Sequence, residues 1–146
     1  MKALIFDTET TDLVGHSLLD DVHQPRIVEF FGQVVRDDGR IVRKLGFLCN
    51  PGVPIPEVSA KITGITSDMV ATLKPFAAHE EDVRGLIGAA DAVVAHNLSF
   101  DMQVMNMEFG RMKPQRAVKW PGLRICTVEQ TECCLLYTSP SPRDRS

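Results

Sequence analysis

Short apolar runs and amphipathic stretches alternate along this chain, and their spacing predicts its secondary structure. The first apolar run, at residues 2–8, is typical of a buried strand. Residues 26–36 and 40–50 are rich in Val, Ile and Phe, and Gly39 between them can adopt the positive φ of a hairpin turn. The first half is therefore predicted to be a three-stranded antiparallel meander.

The second half changes to helical spacing, interrupted by two short apolar strands. The elements predicted here are a helix from after Pro56 to a cap near Gly64, a turn capped by Thr66, helices over 80–87 and 98–111 (the latter capped by Asn97), and strands over 91–97 and 123–128. Antiparallel strands followed by parallel ones indicate an α/β fold with a mixed five-stranded sheet flanked by helices.

Composition narrows the class of protein. A chain of 146 residues with 44% hydrophobic residues is enough for one domain with a real core. The net charge of −3 gives no general basic field, so any attraction to nucleic acid must be local or carried by bound cations. No apolar run is long enough to span a membrane, and four cysteines without a signal peptide suggest a cytoplasmic protein.

The last residues, 134–146, differ in amino-acid composition from the rest of the chain. They read "CLLYTSPSPRDRS", rich in Ser, Pro and Arg. A DNA sequence that resembles a transposase-type sequencing adapter would encode most of this segment. We therefore interpret 134–146 as a non-native tail and expect the natural C-terminus to lie elsewhere; the other interpretation is a disordered terminus.

Two carboxylates follow the first apolar strand. On a strand, Asp7 and Glu9 point to the same side, about 6.5–7 Å apart, with Thr8 opposite. Two hard oxygen ligands on one side suit Mg²⁺ or Mn²⁺, whose charge would neutralise their repulsion. The alternative is a solvated strand end that carries two unrelated acids.

A third carboxylate occurs in "AHNLSFD", at residues 95–101. Asp101 lies four residues after Asn97, so both share one face of the predicted helix. If the preceding strand lies parallel to the first, Asp101 reaches the pair formed by Asp7 and Glu9. The alternative is an ordinary helix N-terminus at which the acid is favoured by the macrodipole.

Together, "FDTETT" and "AHNLSFD" resemble the first and second motifs of the DEDD 3′→5′ exonuclease superfamily, most closely the proofreading epsilon type of bacterial replicative DNA polymerase. The segment "ITGIT", at residues 62–66, resembles the part of that family that lies against the terminal nucleotide. The resemblance spans residues 1–133. The motifs are specific as a set and weak singly.

The resemblance implies a ribonuclease-H-like sheet and phosphodiester hydrolysis with two Mg²⁺ or Mn²⁺ ions. Asp7 would bridge both ions, Glu9 would hold the one that carries the water, and Asp101 would hold the second. The residues implied to bind substrate are Thr8, Thr10, Gly64, Ile65, Thr66, His96, Asn97 and Phe100. The implied partners are a single-stranded DNA or RNA 3′ end and a DNA polymerase subunit, in a bacterial or phage-encoded system.

The family's third motif, a His or Tyr general base shortly before a fourth Asp, is not found before residue 133. We therefore expect an incomplete exonuclease domain over 1–133 that lacks its C-terminal helices. Loss of the base alone removes a factor that ordinarily contributes 10²–10⁴-fold to rate, so the chain as given is expected to be inactive or nearly so.

Three other functions stay open at this point. "LIFDTET" also resembles the Asp-x-Asp strand end of haloacid-dehalogenase phosphatases, although Glu9 stands at the second position. An RNA-trimming exonuclease would carry the same motifs. A non-catalytic module that binds nucleic acid or a polymerase would explain a genuinely missing third motif.

Overall fold

The computed structural model describes residues 1–12 and 24–129, which form one five-stranded mixed sheet with helices packed against it. Most of the loop predicted between the first two strands, and the tail at 134–146, lie outside the described residues. The strands are β1 (Lys2–Thr10), β2 (Ile27–Arg36), β3 (Ile41–Leu48), β4 (Ala92–Ala95) and β5 (Leu123–Cys126).

The strand order is β3-β2-β1-β4-β5, so β1 lies at the centre of the sheet. β1 pairs antiparallel with β2, which pairs antiparallel with β3, and this confirms the predicted meander. β1 pairs parallel with β4, and β4 with β5. The condition under which Asp101 would reach the first two acids is therefore met, and the C-terminal ends of β1 and β4 lie at one edge of the sheet.

The helices are α1 (Glu57–Thr63), α2 (Ser67–Val70), α3 (Glu80–Gly88) and α4 (Leu98–Arg111), with a 3₁₀ turn at Phe76–His79. Gly64 ends α1 with a φ of 75°, as predicted for its cap. The Thr66 hydroxyl accepts a hydrogen bond from the backbone N–H of Met69, which confirms the cap on α2. No helix within the described ranges is long and apolar enough to cross a membrane.

The prediction that the Asn97 side chain caps α4 is wrong. Asn97 occupies the N-cap position but has a φ of 74°, and its side chain makes no capping hydrogen bond. Side-chain caps need an extended backbone at this position, whereas Asn97 is left-handed, a conformation that Asn tolerates better than most residues. The chain therefore uses Asn97 to turn sharply from β4 into α4.

The main core lies between one face of the sheet and helices α3 and α4. Leu4 and Phe6 of β1 belong to it, together with side chains from both helices: Val83, Leu86, Ile87, Leu98, Val104, Met105 and Phe109. Alternate residues of β1, Ile5 and Asp7, are exposed on the other face. This alternation decides which side of the sheet each polar residue of β1 faces.

A buried ion pair ties α4 to the start of β2. Glu108, 3% exposed, accepts hydrogen bonds from Arg26 Nε at 3.0 Å and Nη2 at 3.2 Å, and from the Ile27 backbone N–H at 3.0 Å. Arg26 in turn pairs through its backbone with Thr11, at the end of β1. These contacts hold α4, β1 and β2 together near the edge of the sheet at which β1 ends.

Candidate active site

The first two predicted acids lie at the C-terminal end of β1, as the sequence indicated. Asp7 is exposed, Glu9 is half-buried, and Thr8 between them is buried on the core side. The strand register places Glu29 of β2 directly opposite Glu9. Sequence reasoning missed Glu29, because only the register of the β1–β2 pair shows that this acid joins the site.

Asp101 enters from α4 and docks on Thr8. Its Oδ1 accepts the Thr8 backbone N–H at 3.1 Å and the Thr8 hydroxyl at 2.7 Å. The carboxylate is only 2% exposed, so water competes little for these bonds. The third acid therefore meets β1 at the residue between the other two acids, from the core side of the sheet.

Carboxylates that repel one another accumulate at the end of β1. Burial is the main cause that raises the pKa of Asp101 to about 6, and repulsion from Asp7 adds to it, against the hydrogen bonds from Thr8. Burial also raises the pKa of Glu9, with contributions from Asp7 and Glu29. Such mutual perturbation of carboxylates in one place is a marker of functional sites.

The acids open onto two clefts, one on each side of the end of β1. A cleft of about 190 Å³ is lined by Glu9, Thr10, Ser59, Ile62 and Phe100, among others. A second, of about 350 Å³, is lined by Asp7, Ile5, Phe31, His96 and Thr127, among others. A group bound across the end of β1 could therefore contact Glu9 from the first cleft and Asp7 from the second.

Of the residues in "ITGIT" that were expected to contact substrate, Ile65 is buried at 4% exposure in a small core cluster and does not reach the clefts. Gly64 and Thr66 serve as the caps described above. Ile62, which sequence reasoning passed over, is 80% exposed and lines the cleft beside Glu9. The feature of the sequence that could have identified Ile62 is an apolar residue on the solvent-facing side of α1.

The residues expected from the second motif lie near the same edge. Phe100 is half-buried and lines the cleft beside Glu9. His96 is exposed, and its Nδ1 lies 2.9 Å from the Thr127 hydroxyl at the end of β5. Asn97 is exposed at the turn into α4. The structure thus groups the second motif around the first.

No three acidic, His or Cys side chains among the described residues are arranged to hold a metal ion. Asp7 and Glu9 face one side of β1, and Asp101 is bound to Thr8 on the other. The donors are nonetheless all carboxylate oxygens, the ligands that hard divalent cations prefer. The chemistry of the donor set therefore fits Mg²⁺ or Mn²⁺.

Comparison with known proteins agrees with these observations. Residues 4–129 match the exonuclease family RNase_T. DNA polymerase III PolC-type of Listeria innocua is 34% identical over 113 residues, 77% of this chain and 7% of that polymerase. The DNA polymerase III subunit epsilon of Treponema pallidum is 34% identical over 110 residues, 75% of this chain and 47% of that subunit.

Among solved structures, exonuclease X in complex with 5′ overhanging duplex DNA has a TM-score of 0.61 at 28% identity, over 95% of this chain and 66% of that one. The resemblance read from the motifs and the predicted fold class are confirmed. The phosphatase alternative has no support in these matches. The chain spans less than a tenth of the PolC-type relative and about half of the epsilon relative.

Proposed function

Since this chain belongs to the exonuclease family, we propose that it removes nucleotides from the 3′ end of single-stranded DNA by metal-dependent hydrolysis of phosphodiester bonds. The observation that carries the proposal is the docking of Asp101 on Thr8, between Asp7 and Glu9, at the edge where β1 and β4 end. It joins the two sequence motifs, which lie more than 90 residues apart, in one acidic site.

Asp7, Glu9 and Asp101 would hold two Mg²⁺ or Mn²⁺ ions in this proposal. Bound divalent ions supply an activated water and stabilise negative charge on a phosphoryl group undergoing displacement. Burial is the main cause of the raised pKa values of Glu9 and Asp101, and the charge of bound ions would offset both this burial and the added repulsion between the acids. The role of the protein is to present carboxylate oxygens along one strand end and to hold the terminal phosphate beside them.

The cleft beside Glu9 is the proposed binding site of the terminal nucleoside. Ile62 and Phe100 give it apolar walls, against which a base can stack or pack, while Thr10 offers a hydroxyl. His96 and Asn97, exposed at the end of β4, are proposed to contact the phosphate backbone from the other side. Gly64 and Thr66 are proposed to act through the backbone at the cleft rim.

We propose DNA rather than RNA as the substrate, because the relatives are DNA polymerase III proteins and the exonuclease X structure holds DNA. The same relatives suggest association with a polymerase and a setting in a bacterial or phage-infected cytoplasm. We propose residues 1–133 as the exonuclease domain.

The test is recognition of a free 3′ end by the 146-residue chain, with Ca²⁺ in place of Mn²⁺ so that binding is measured without cleavage. Fluorescence anisotropy compares an oligothymidylate ending in a 3′-hydroxyl with the same strand ending in a 3′-phosphate, and with its RNA counterpart. We expect cation-dependent binding that is several-fold tighter for the DNA 3′-hydroxyl.

Asp7→Asn should abolish this cation dependence, whereas Asp38→Asn, the same change at the tip of the β2–β3 turn, should leave it intact. Tighter binding of the RNA strand would favour the RNA-trimming alternative. Binding that ignores both the cation and the 3′ group would contradict the proposal and favour a general nucleic-acid-binding module.

A further inference from the structure

The hydroxyl of Thr8 has an unusual place for a residue between two candidate metal ligands. It points away from Asp7 and Glu9 into the core side of the sheet, where it donates to Asp101 Oδ1 at 2.7 Å. The backbone N–H of Thr8 donates to the same oxygen at 3.1 Å. Thr8 is 7% exposed and Asp101 is 2% exposed, so this contact is shielded from solvent.

Two donors from one residue converge on Oδ1 and fix the position of that oxygen. The carboxyl group of Asp101 would otherwise rotate about its two side-chain torsions at the start of α4. The N–H belongs to the central strand, and the hydroxyl belongs to a β-branched side chain with few rotamers, so both donors are themselves fixed. A bond of 2.7 Å to an ionised acceptor is also in the strong class.

We propose that Thr8 is a positioning residue: by holding Oδ1 of Asp101, it fixes the orientation of a carboxylate that would bind a divalent cation together with Asp7. The inference rests on the proposed function and deepens it. It also reassigns Thr8 from substrate contact, the role expected from the sequence, to orientation of a ligand.

A purely structural role makes a different prediction. A buried carboxylate needs donors for stability alone, so loss of the hydroxyl would lower the unfolding midpoint without changing cation affinity in the folded protein. A positioning role changes cation affinity as well. Removal of groups that orient metal ligands typically weakens metal binding about 10- to 100-fold.

The test uses three variants of the 146-residue chain and measures Mn²⁺ binding by calorimetry, with thermal unfolding in EDTA to confirm that each is folded. Thr8→Val removes the hydroxyl and keeps the shape, while Thr8→Ser keeps the hydroxyl. Thr11→Val removes another buried threonine hydroxyl near the end of β1, one that accepts the Arg26 N–H and does not touch Asp101.

We expect Thr8→Val to weaken Mn²⁺ binding at least about tenfold, Thr8→Ser to bind close to the wild type, and Thr11→Val to lose stability but keep its affinity. If Thr8→Val binds Mn²⁺ as the wild type does, or Thr8→Ser fails to restore binding, the positioning role is refuted and the proposed function stands. If the wild-type chain shows no Mn²⁺ binding that depends on Asp7, the proposed function fails and this inference falls with it.

Discussion

Replacement of Asp101 by Asn should make the metal-free protein more stable at neutral pH. The carboxylate is buried beside Asp7, and its pKa is raised from the ordinary 3.8 to about 6. The folded protein therefore holds the proton more tightly than the unfolded chain, and ionisation destabilises the fold. Asn keeps the oxygen that accepts both Thr8 hydrogen bonds and removes the charge.

The magnitude follows from the difference in proton affinity. A tenfold change corresponds to about 1.4 kcal/mol, so a pKa of about 6 against 3.8 gives an upper value of about 3 kcal/mol for the free energy of unfolding. We expect a gain of about 2 kcal/mol for Asp101→Asn, because the new amide N–H₂ group must also be accommodated in a buried position.

The sign of the pH dependence is specific. Well below pH 3.8 the carboxyl is protonated in both folded and unfolded states, so the gain from Asp101→Asn disappears. The gain grows as pH rises from the unfolded pKa of 3.8 to the folded pKa of about 6, and it is complete above that pH. Ionisation of Asp101 therefore destabilises the wild type at neutral pH and not in acid. A carboxylate held in a salt bridge has the opposite effect, because it stabilises the fold at neutral pH.

The assay is urea unfolding in EDTA at a series of pH values, with wild type and variant side by side so that other titrating groups cancel. Added Mn²⁺ should raise the stability of the wild type and leave the variant unchanged. A variant that is less stable than the wild type at neutral pH, or a difference that is the same at pH 4 and pH 8, would refute the reasoning.

Two further predictions concern the frame around the site. Glu108→Gln should cost about 1–3 kcal/mol of stability, because the buried acceptor loses the charge that pairs with half-buried Arg26. Glu57→Gln removes only an exposed pair and should cost less than about 0.5 kcal/mol. Urea unfolding compares the two variants, and equal costs would contradict the role given to the buried Glu108 carboxylate. Gly32→Ala should lower stability by about 1–3 kcal/mol, because its new methyl group would lie 2.7 Å from Leu86 Cδ2. The methyl group of Gly88→Ala meets nothing within 4 Å, so this variant should be nearly neutral. Thermal unfolding curves that show no difference between the two variants would argue against this packing.

The strands and long helices were predictable because their signals are repeated over many residues. Leu98–Arg111 begins and ends where its apolar stripe predicted, and β1 alternates buried and exposed residues as its pattern required. The parallel pairing of β1 with β4 was only a condition at the level of the sequence, and the structure meets it.

Features set by a single residue or by three-dimensional register were not predictable. The left-handed φ of Asn97 depends on the direction in which the chain leaves β4. The pairing of Glu29 with Glu9 depends on a strand register that no local pattern shows. In the short segment around α1, a shift in helical phase decides that Ile65 is buried and Ile62 is exposed.

The docking of Asp101 shows how the two kinds of information combine. The sequence placed the acid on the right helix turn and the right edge of the sheet. It could not show that α4 packs on the core face of β1, so that the carboxylate meets Thr8 rather than Asp7 and Glu9 directly. The contact that organises the site therefore needed the structure.

The direction of strand degradation tests the exonuclease proposal most directly. A single strand labelled at its 5′ end is incubated with excess 146-residue chain and Mn²⁺, and products are followed for hours, because even a rate lowered by several powers of ten then leaves measurable cleavage. We expect a ladder of labelled products shortened stepwise from the 3′ end, absent with EDTA and with Asp7→Asn. Internal cuts, or loss of the 5′ label as a mononucleotide, would contradict the exonuclease proposal.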